Sequence, residues 1–153
     1  MENNKLISIL SPIDFKENVL FPFDISAVML MLGDYMKRAD KLLNLTQTGK
    51  TIPVCIADTF GKRFMGLMGR IEGEYGLLLS PCNAVHTFFM RYDLDVIFLD
   101  KNNRIVSIKR SIKPFSVVSP VPEAVKVLEL PSSLNATDFL NTGDQIVFHN
   151  EPE

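Results

Sequence analysis

The chain has little of several residue types, and each shortage closes off a class of protein. It holds no tryptophan, two histidines and two cysteines in 153 residues. Two cysteines are too few for a disulfide framework. Eight glycines and nine prolines are too few for a low-complexity or collagen-like chain. Neither sign of charge dominates. Sixteen basic and 18 acidic residues leave a net charge of -2, so there is no electrostatic footprint for nucleic acid, and none is expected as a partner. Apolar runs are short as well. The longest, residues 25–32, is bracketed by Asp24 and Asp34 and falls below the ~18 residues a membrane helix needs. A secretory leader needs a basic start, an apolar stretch of about 7–15 residues and a small-residue cleavage site. Residues 1–10 offer one lysine, and Pro12, Asp14, Lys16 and Glu17 interrupt the apolar run beyond it. The expectation is a cytoplasmic chain with Cys55 and Cys82 as free thiols.

What the chain does have is a 46% apolar composition, enough for one domain that buries roughly 70% of its unfolded surface. Two parts are distinguishable. Residues 1–44 form an N-terminal extension with an amphipathic helix over 25–43. Asp24 is its N-cap, and Val28, Leu32, Tyr35, Ala39 and Leu42 form its apolar stripe. Residues 45–149 read as β structure. Alternation at Ile52, Val54 and Ile56 marks a half-buried strand. Asp58-Thr59 opens a short helix carrying Phe60, Phe64, Leu67 and Met68, and Gly69 ends it. Strands are expected over 75–79, 85–91 and 96–99, the last covered on both faces. Asp100-Lys101-Asn102-Asn103 turns that strand into a hairpin with 104–112. Further strands are read at 124–130 and 145–149, with a short helix from Ser132 to Leu140 between them. The fold class is therefore mainly β, a small sandwich, jelly-roll-like or barrel-like domain with short helices and an added N-terminal α-helix.

Motifs that carry known chemistry are absent or incomplete. The run Thr46–Thr51 resembles a phosphate loop but has Asn44 where the first glycine must stand. Gly66-Leu67-Met68-Gly69 ends a helix instead of opening one, so it is not a dinucleotide fingerprint. Cys82 and His86 form a C-x₃-H pair. Two such ligands make half a zinc site, and a closed site would consume Cys55 and His149 as well, so no metal and no cofactor are expected. The same pair reads as a nucleophile and its base, although a buried thiol and a hydrogen-bonded histidine are the commoner arrangement. Asp93 and Asp95 stand on one side of an extended segment, about 7 Å apart by strand rise, and read as solvated acids at a strand start. Glu129 stands out. It shares a strand face with Val125 and Val127, and a carboxylate beneath a sheet is costly unless paired. Arg63 or Arg70 is expected to pair with it, because arginine supplies a planar, bidentate donor.

These segments together resemble an uncharacterised bacterial and archaeal family, domain of unknown function 192. The resemblance runs through Ala57-Asp58-Thr59, Arg63 and Gly66-Leu67-Met68-Gly69-Arg70. It continues through Gly76-Leu77-Leu78-Leu79, Pro81-Cys82 and Val85-His86-Thr87-Phe88-Phe89-Met90-Arg91. Leu94-Asp95-Val96-Ile97-Phe98-Leu99-Asp100, Val127-Leu128-Glu129-Leu130-Pro131 and Gly143-Asp144 complete it. Members commonly carry Ala-Gly after the Leu-Glu-Leu-Pro stretch, where Ser132-Ser133 stands here, and serine avoids the positive φ that glycine tolerates. The resemblance implies a compact mainly-β fold and no particular reaction or ligand.

Two functions are open on these grounds. The first is a non-enzymatic module binding a small molecule or a protein, with Arg63, Arg70, His86, Arg91, Asp95 and Glu129 as its polar contacts. The alternative is a hydrolase-like enzyme using Cys82 and His86 or carboxylates. The N-terminal helix is a third element, suited to docking a partner.

Overall fold

The computed structural model describes residues 41–45 and 49–150. The helix expected over 25–43 lies outside the described residues except for its last three positions. Those belong to a strand, β1 (Lys41–Leu45). Gly49, at φ 66°, turns the chain toward β2 (Lys50–Ala57). Then come helix α1 (Phe60–Met65), β3 (Gly76–Leu79), β4 (Val85–His86) and β5 (Leu94–Leu99). The remaining strands are β6 (Ile105–Ile112), β7 (Val117–Val118), β8 (Lys126–Pro131) and β9 (Phe148–Asn150).

Seven strands form one mixed sheet in the order β6-β5-β8-β3-β2-β1-β9, and β4 pairs with β7 in a separate ribbon. The mainly-β expectation holds, but the closed-barrel form of it does not. The β2–β3 pair is parallel, which demands a crossover rather than a hairpin. The segment carrying α1 supplies that crossover. At the sheet's ends, β6 and β9 share no ladder, but the approaches to them are tied by the isolated bridge between Arg104 and Gln145 and by backbone bonds from Ile105 N to Asp144 O, Gly143 N to Ile105 O and Ile146 N to Asn103 O.

The hairpin turn forms as its residues imply. Asp100 Oδ1 accepts from the amides of Asn102 and Arg104 at 2.7 and 2.9 Å, and Asn103 takes the left-handed φ of 60°. Two other expectations need correction. The strand read over 85–91 stops at His86. Thr87 is pinned instead, its hydroxyl donating to Lys113 O and accepting from Ser116 N, and the chain turns through Phe89 at φ 59°. Aromatic content favours strand, but those tertiary bonds prevail. The helix read from Ser132 to Leu140 is a single 3-10 turn, Ser132–Leu134, closed by Asn135 at φ 50°. The positive φ that a glycine would suit therefore falls on asparagine, not on either serine.

Alternation along the central strands gives the sheet two buried faces. Val127 and Glu129 of β8 share one face with Leu77, Leu79, Val96 and Phe98. Leu128 and Leu130 share the other with Leu78, Ile97 and Leu99. Asp95 lies on this second face, 4% exposed. Its Oδ1 accepts from Ser111 N at 2.9 Å and Ser132 Oγ at 2.7 Å, and its Oδ2 from the Thr137 hydroxyl. Asp95 is thus a structural clasp that holds the 3-10 turn and the Thr137 segment to the sheet. Replacing it with alanine strands those donors in the interior. Asp95→Ala is expected to lose at least about 2 kcal/mol in urea denaturation. A loss under about 0.5 kcal/mol, the range of an ordinary surface change, would contradict the clasp.

Candidate functional site

Glu129 sits in the middle of β8, between Leu77 of β3 and Val96 of β5 in register. Both neighbours are fully buried and apolar. The carboxyl is 2% exposed, and its Oε2 has no hydrogen-bond partner. Burial alone pushes its pKa from the ordinary 4.5 up to about 8, because a charged carboxylate without partners is poorly tolerated away from water. At neutral pH the group is a neutral acid, and therefore a hydrogen-bond donor.

Above this acid the α1 crossover is built from local signals. Thr59 caps the helix, its Oγ1 accepting from Lys62 N. Gly66 ends it at φ 49°, ψ -130°, a conformation closed to residues with a side chain. A Cβ at Gly66 would stand 3.6 Å from Glu129 Oε2, so the helix end lies directly against the free oxygen. Leu67, 1% exposed, anchors the chain into the core just beyond it. None of the residues within α1 is buried. Phe60 and Phe64 are 77% and 56% exposed.

A cavity of about 200 Å³ opens between α1 and the sheet, lined by Phe60, Arg63, Phe64, Gly66, Leu79, Cys82, Ala84, Val85, His86 and Glu129. At its mouth the rings form a row. Phe60 stacks on Phe64 at 6.2 Å, Phe64 meets His86 edge-on at 5.7 Å, and His86 stacks on Phe88 at 5.1 Å. His86 Nδ1 accepts from Phe88 N at 3.4 Å. Cys82 Sγ donates to Ala84 O at 3.0 Å. Burial pushes the Cys82 thiol up, and Glu129 adds to that while the Ala84 bond and Arg63 oppose it.

The cavity brings together three of the six candidate residues, Arg63, His86 and Glu129, together with Cys82. The other three lie elsewhere. Asp95 is the clasp on the opposite face of the sheet. Arg91 is exposed and does not line the cavity. Arg70 sits with its guanidinium 5.9 Å from the Tyr75 ring centre. The expected Glu129 ion pair does not form. Arg63 Nη1 donates instead to Asp58 O at 2.7 Å and Ser80 O at 3.4 Å, backbone carbonyls that lie side by side just beyond the paired ends of β2 and β3. Asp93 pairs with Lys113. Val125, expected to face inward with Glu129, precedes β8 and is 41% exposed.

A family model described as an uncharacterized ancient conserved region, domain of unknown function 192, matches residues 43–148. The chain belongs to this family. Its curated members include a UPF0127 protein of Thermococcus sibiricus, 39% identical over 122 residues, which are 73% of this chain and 77% of that protein. Another, from Pyrococcus horikoshii, is 37% identical over 109 residues, 67% of this chain and 90% of that protein. Two solved structures share the fold at 22% identity and a TM-score of 0.60, each covering 71% of this chain. One is a protein of unknown function from Novosphingobium aromaticivorans, covered over 83% of its length. The other, from Sinorhizobium meliloti and named as a candidate transcription regulator, is covered over 92%. Membership in the family carries no established activity. Among the described residues no helix is long and apolar enough to cross a membrane.

From sequence, Phe60, Phe64 and Phe88 are ordinary apolar residues of a helix and a strand. A six-residue helix that buries none of its side chains has no core-facing stripe, and the pair Phe60 and Phe64 at i, i+4 is the available signal of a shared exposed face.

The acid gives stability a defined pH dependence. Between the ordinary pKa of 4.5 and the folded value of about 8, the folded chain holds one more proton than the unfolded chain. Stability is therefore greatest below that window, falls as pH rises through it by up to about 1.4 kcal/mol per unit, and levels off above it. Glu129→Gln is expected to remove this fall. A slope in urea denaturation that the substitution leaves unchanged would show that Glu129 does not titrate there.

Proposed function

We propose that this domain is a small-molecule binding module whose site is the cavity between α1 and the sheet. The observation that carries the reading is Glu129, a buried acid with an unpartnered oxygen at the wall of an open, ring-lined cavity. Buried polar groups are almost always satisfied within the protein. One left unsatisfied beside a cavity is supplied with a partner when a ligand enters. Arg63 and His86 contribute further polar groups, and the remaining lining is largely apolar, as in small-molecule sites generally. Catalysis through Cys82 is the weaker reading. Its thiol is held protonated by burial and is engaged by the Ala84 carbonyl, whereas a nucleophile needs the thiolate.

A residue kept for a ligand costs the free protein stability, whereas a residue kept for the fold contributes to it. Glu129→Met, close in volume and free of the unsatisfied oxygen, is expected to raise stability at neutral pH by about 1–3 kcal/mol in urea denaturation. In the unmodified protein, at least one of benzyl alcohol, benzylammonium and benzoate is expected to shift the NMR signals of Phe64, Ala84 and His86. A destabilised Glu129→Met protein whose parent shows no such shift with any of the three would overturn the reading.

A further inference from the structure

Resting on that reading, we infer that the cavity takes a small carboxylate with an apolar body, its carboxylate held by the free guanidinium N–H groups of Arg63 and by the acid of Glu129, and its body against the ring row.

Polarity decides between ligand classes. Arg63 is a permanent cation. Only its Nη1 is engaged, on Asp58 O and Ser80 O, and no acceptor among the described residues takes Nε or Nη2. Glu129, buried among Leu77, Val96 and the helix end, is a neutral acid when alone and presents an O–H donor. The other titratable groups around it do not reverse this. Cys82, from the chain after β3, is a protonated thiol with its hydrogen committed to Ala84 O. His86 of β4 has its Nδ1 committed to the Phe88 amide. Tyr92, ahead of β5, lies within electrostatic reach of Glu129; burial is the main cause that pushes its phenol up, and its buried hydroxyl has no partner. The cavity thus offers one cation and unfilled donors to a ligand. An ammonium would meet the like charge of Arg63. A carboxylate meets a guanidinium in the geometry that favours bidentate bonding and accepts a hydrogen from Glu129 as well.

Size and lining set the rest of the ligand. A cavity of about 150 Å³ lined by apolar side chains accommodates benzene, and this one is about 200 Å³. Phe60, Phe64, Leu79, Ala84 and Val85 among its walls suit a ring or short alkyl group. They do not suit a doubly charged, strongly hydrated anion such as phosphate, whose dehydration these walls could not offset.

Benzoate, benzyl alcohol and benzylammonium separate the cases because they share one body and differ in the head group. NMR titration at about pH 6 and at about pH 9 brackets the titration of Glu129. Benzoate is expected to bind most tightly of the three at the lower pH, with the largest shifts at Phe64, Ala84 and His86. Its affinity is expected to fall about tenfold at the higher pH, as Glu129 loses its proton about a unit above its midpoint. Glu129→Gln keeps an N–H donor without a titrating proton, so it should bind benzoate equally at both values. Arg63→Met should lose about tenfold or more in benzoate affinity and much less in benzyl alcohol affinity. If that protein fails to fold, the comparison of Glu129→Gln with the parent decides. Preference for benzylammonium or benzyl alcohol at the same residues overturns the carboxylate and leaves the binding-module reading standing. Benzoate affinity that rises toward the higher pH overturns it too, as does the absence of any benzoate shift in the cavity. The binding-module reading itself fails by its own measure, the destabilised Glu129→Met protein with no response to any probe.

Discussion

The structure turns on the alternation of side chains across β5 and β8, the two paired strands that carry a buried carboxyl each. Because neighbours along a strand face opposite ways, Asp95 of β5 and Glu129 of β8 fall on opposite faces of one sheet although they are one register step apart, Val96 opposing Glu129 and Asp95 opposing Leu130. Their environments then diverge. Asp95 receives two hydroxyls and an amide, from Ser132, Thr137 and Ser111. Glu129 has an oxygen that receives nothing. Both carboxyls are removed from water, but only the first has its desolvation compensated by donors. The same alternation therefore makes one acid a fastening and the other a standing deficit.

That division was half legible in the sequence. The period of two placed Glu129 with Val127 on a buried face, and this holds. The short helix after Asp58-Thr59 and the hairpin about Asp100–Asn103 were also readable, since caps and turns are written in adjacent residues. What could not be read is how distant segments meet. Arg63 looked like a partner for Glu129 because it is an arginine near a carboxylate in a compact stretch. Its choice of Asp58 O and Ser80 O depends on the parallel register that sets the end of β3 beside the end of β2, which no local pattern encodes. Asp95 looked like a solvated acid because its donors lie 16, 37 and 42 residues away. The strand expected through Phe88-Phe89 failed for the same kind of reason, as Thr87 is tied to the 113–116 segment. Local propensity is outweighed where long-range hydrogen bonds fix the backbone.

The parallel pairing of β2 and β3 has a consequence for the cavity. A parallel pair cannot be joined by a tight turn, so the chain must leave the sheet after Ala57 and return at Gly76. It crosses the face that carries Glu129, and the crossover provides Phe60, Arg63, Phe64 and Gly66 to the cavity wall. Had the two strands been antiparallel, a hairpin would have left that face to other cover. The site is thus a product of topology as much as of side chains, and Gly66 is where the two meet. It ends the helix in a conformation that requires glycine, and it brings backbone to within contact of the acid's free oxygen.

The crossover is also weakly fastened where it matters. Its helix buries none of its own residues, so it is held by the Thr59 cap, the Lys62–Asp58 ion pair, the two Arg63 bonds to backbone carbonyls and, beyond its end, Leu67 and the Gly69 amide on Phe89 O. The cap, the ion pair and both Arg63 bonds lie on exposed or half-exposed groups, where hydrogen bonds compete with water and add little. Elements of this kind open at lower free energy than the core beneath them. The strands that bury Glu129 are paired on both edges and covered on both faces. A ligand entering the cavity would therefore meet rings and a short helix, and no part of the sheet would have to move. A guest that engages Arg63 can keep its backbone bonds in place, because it uses the nitrogens those bonds leave free. Openness and rigidity are thereby assigned to different elements: the sheet holds the acid in position, and the crossover borders the cavity in front of it.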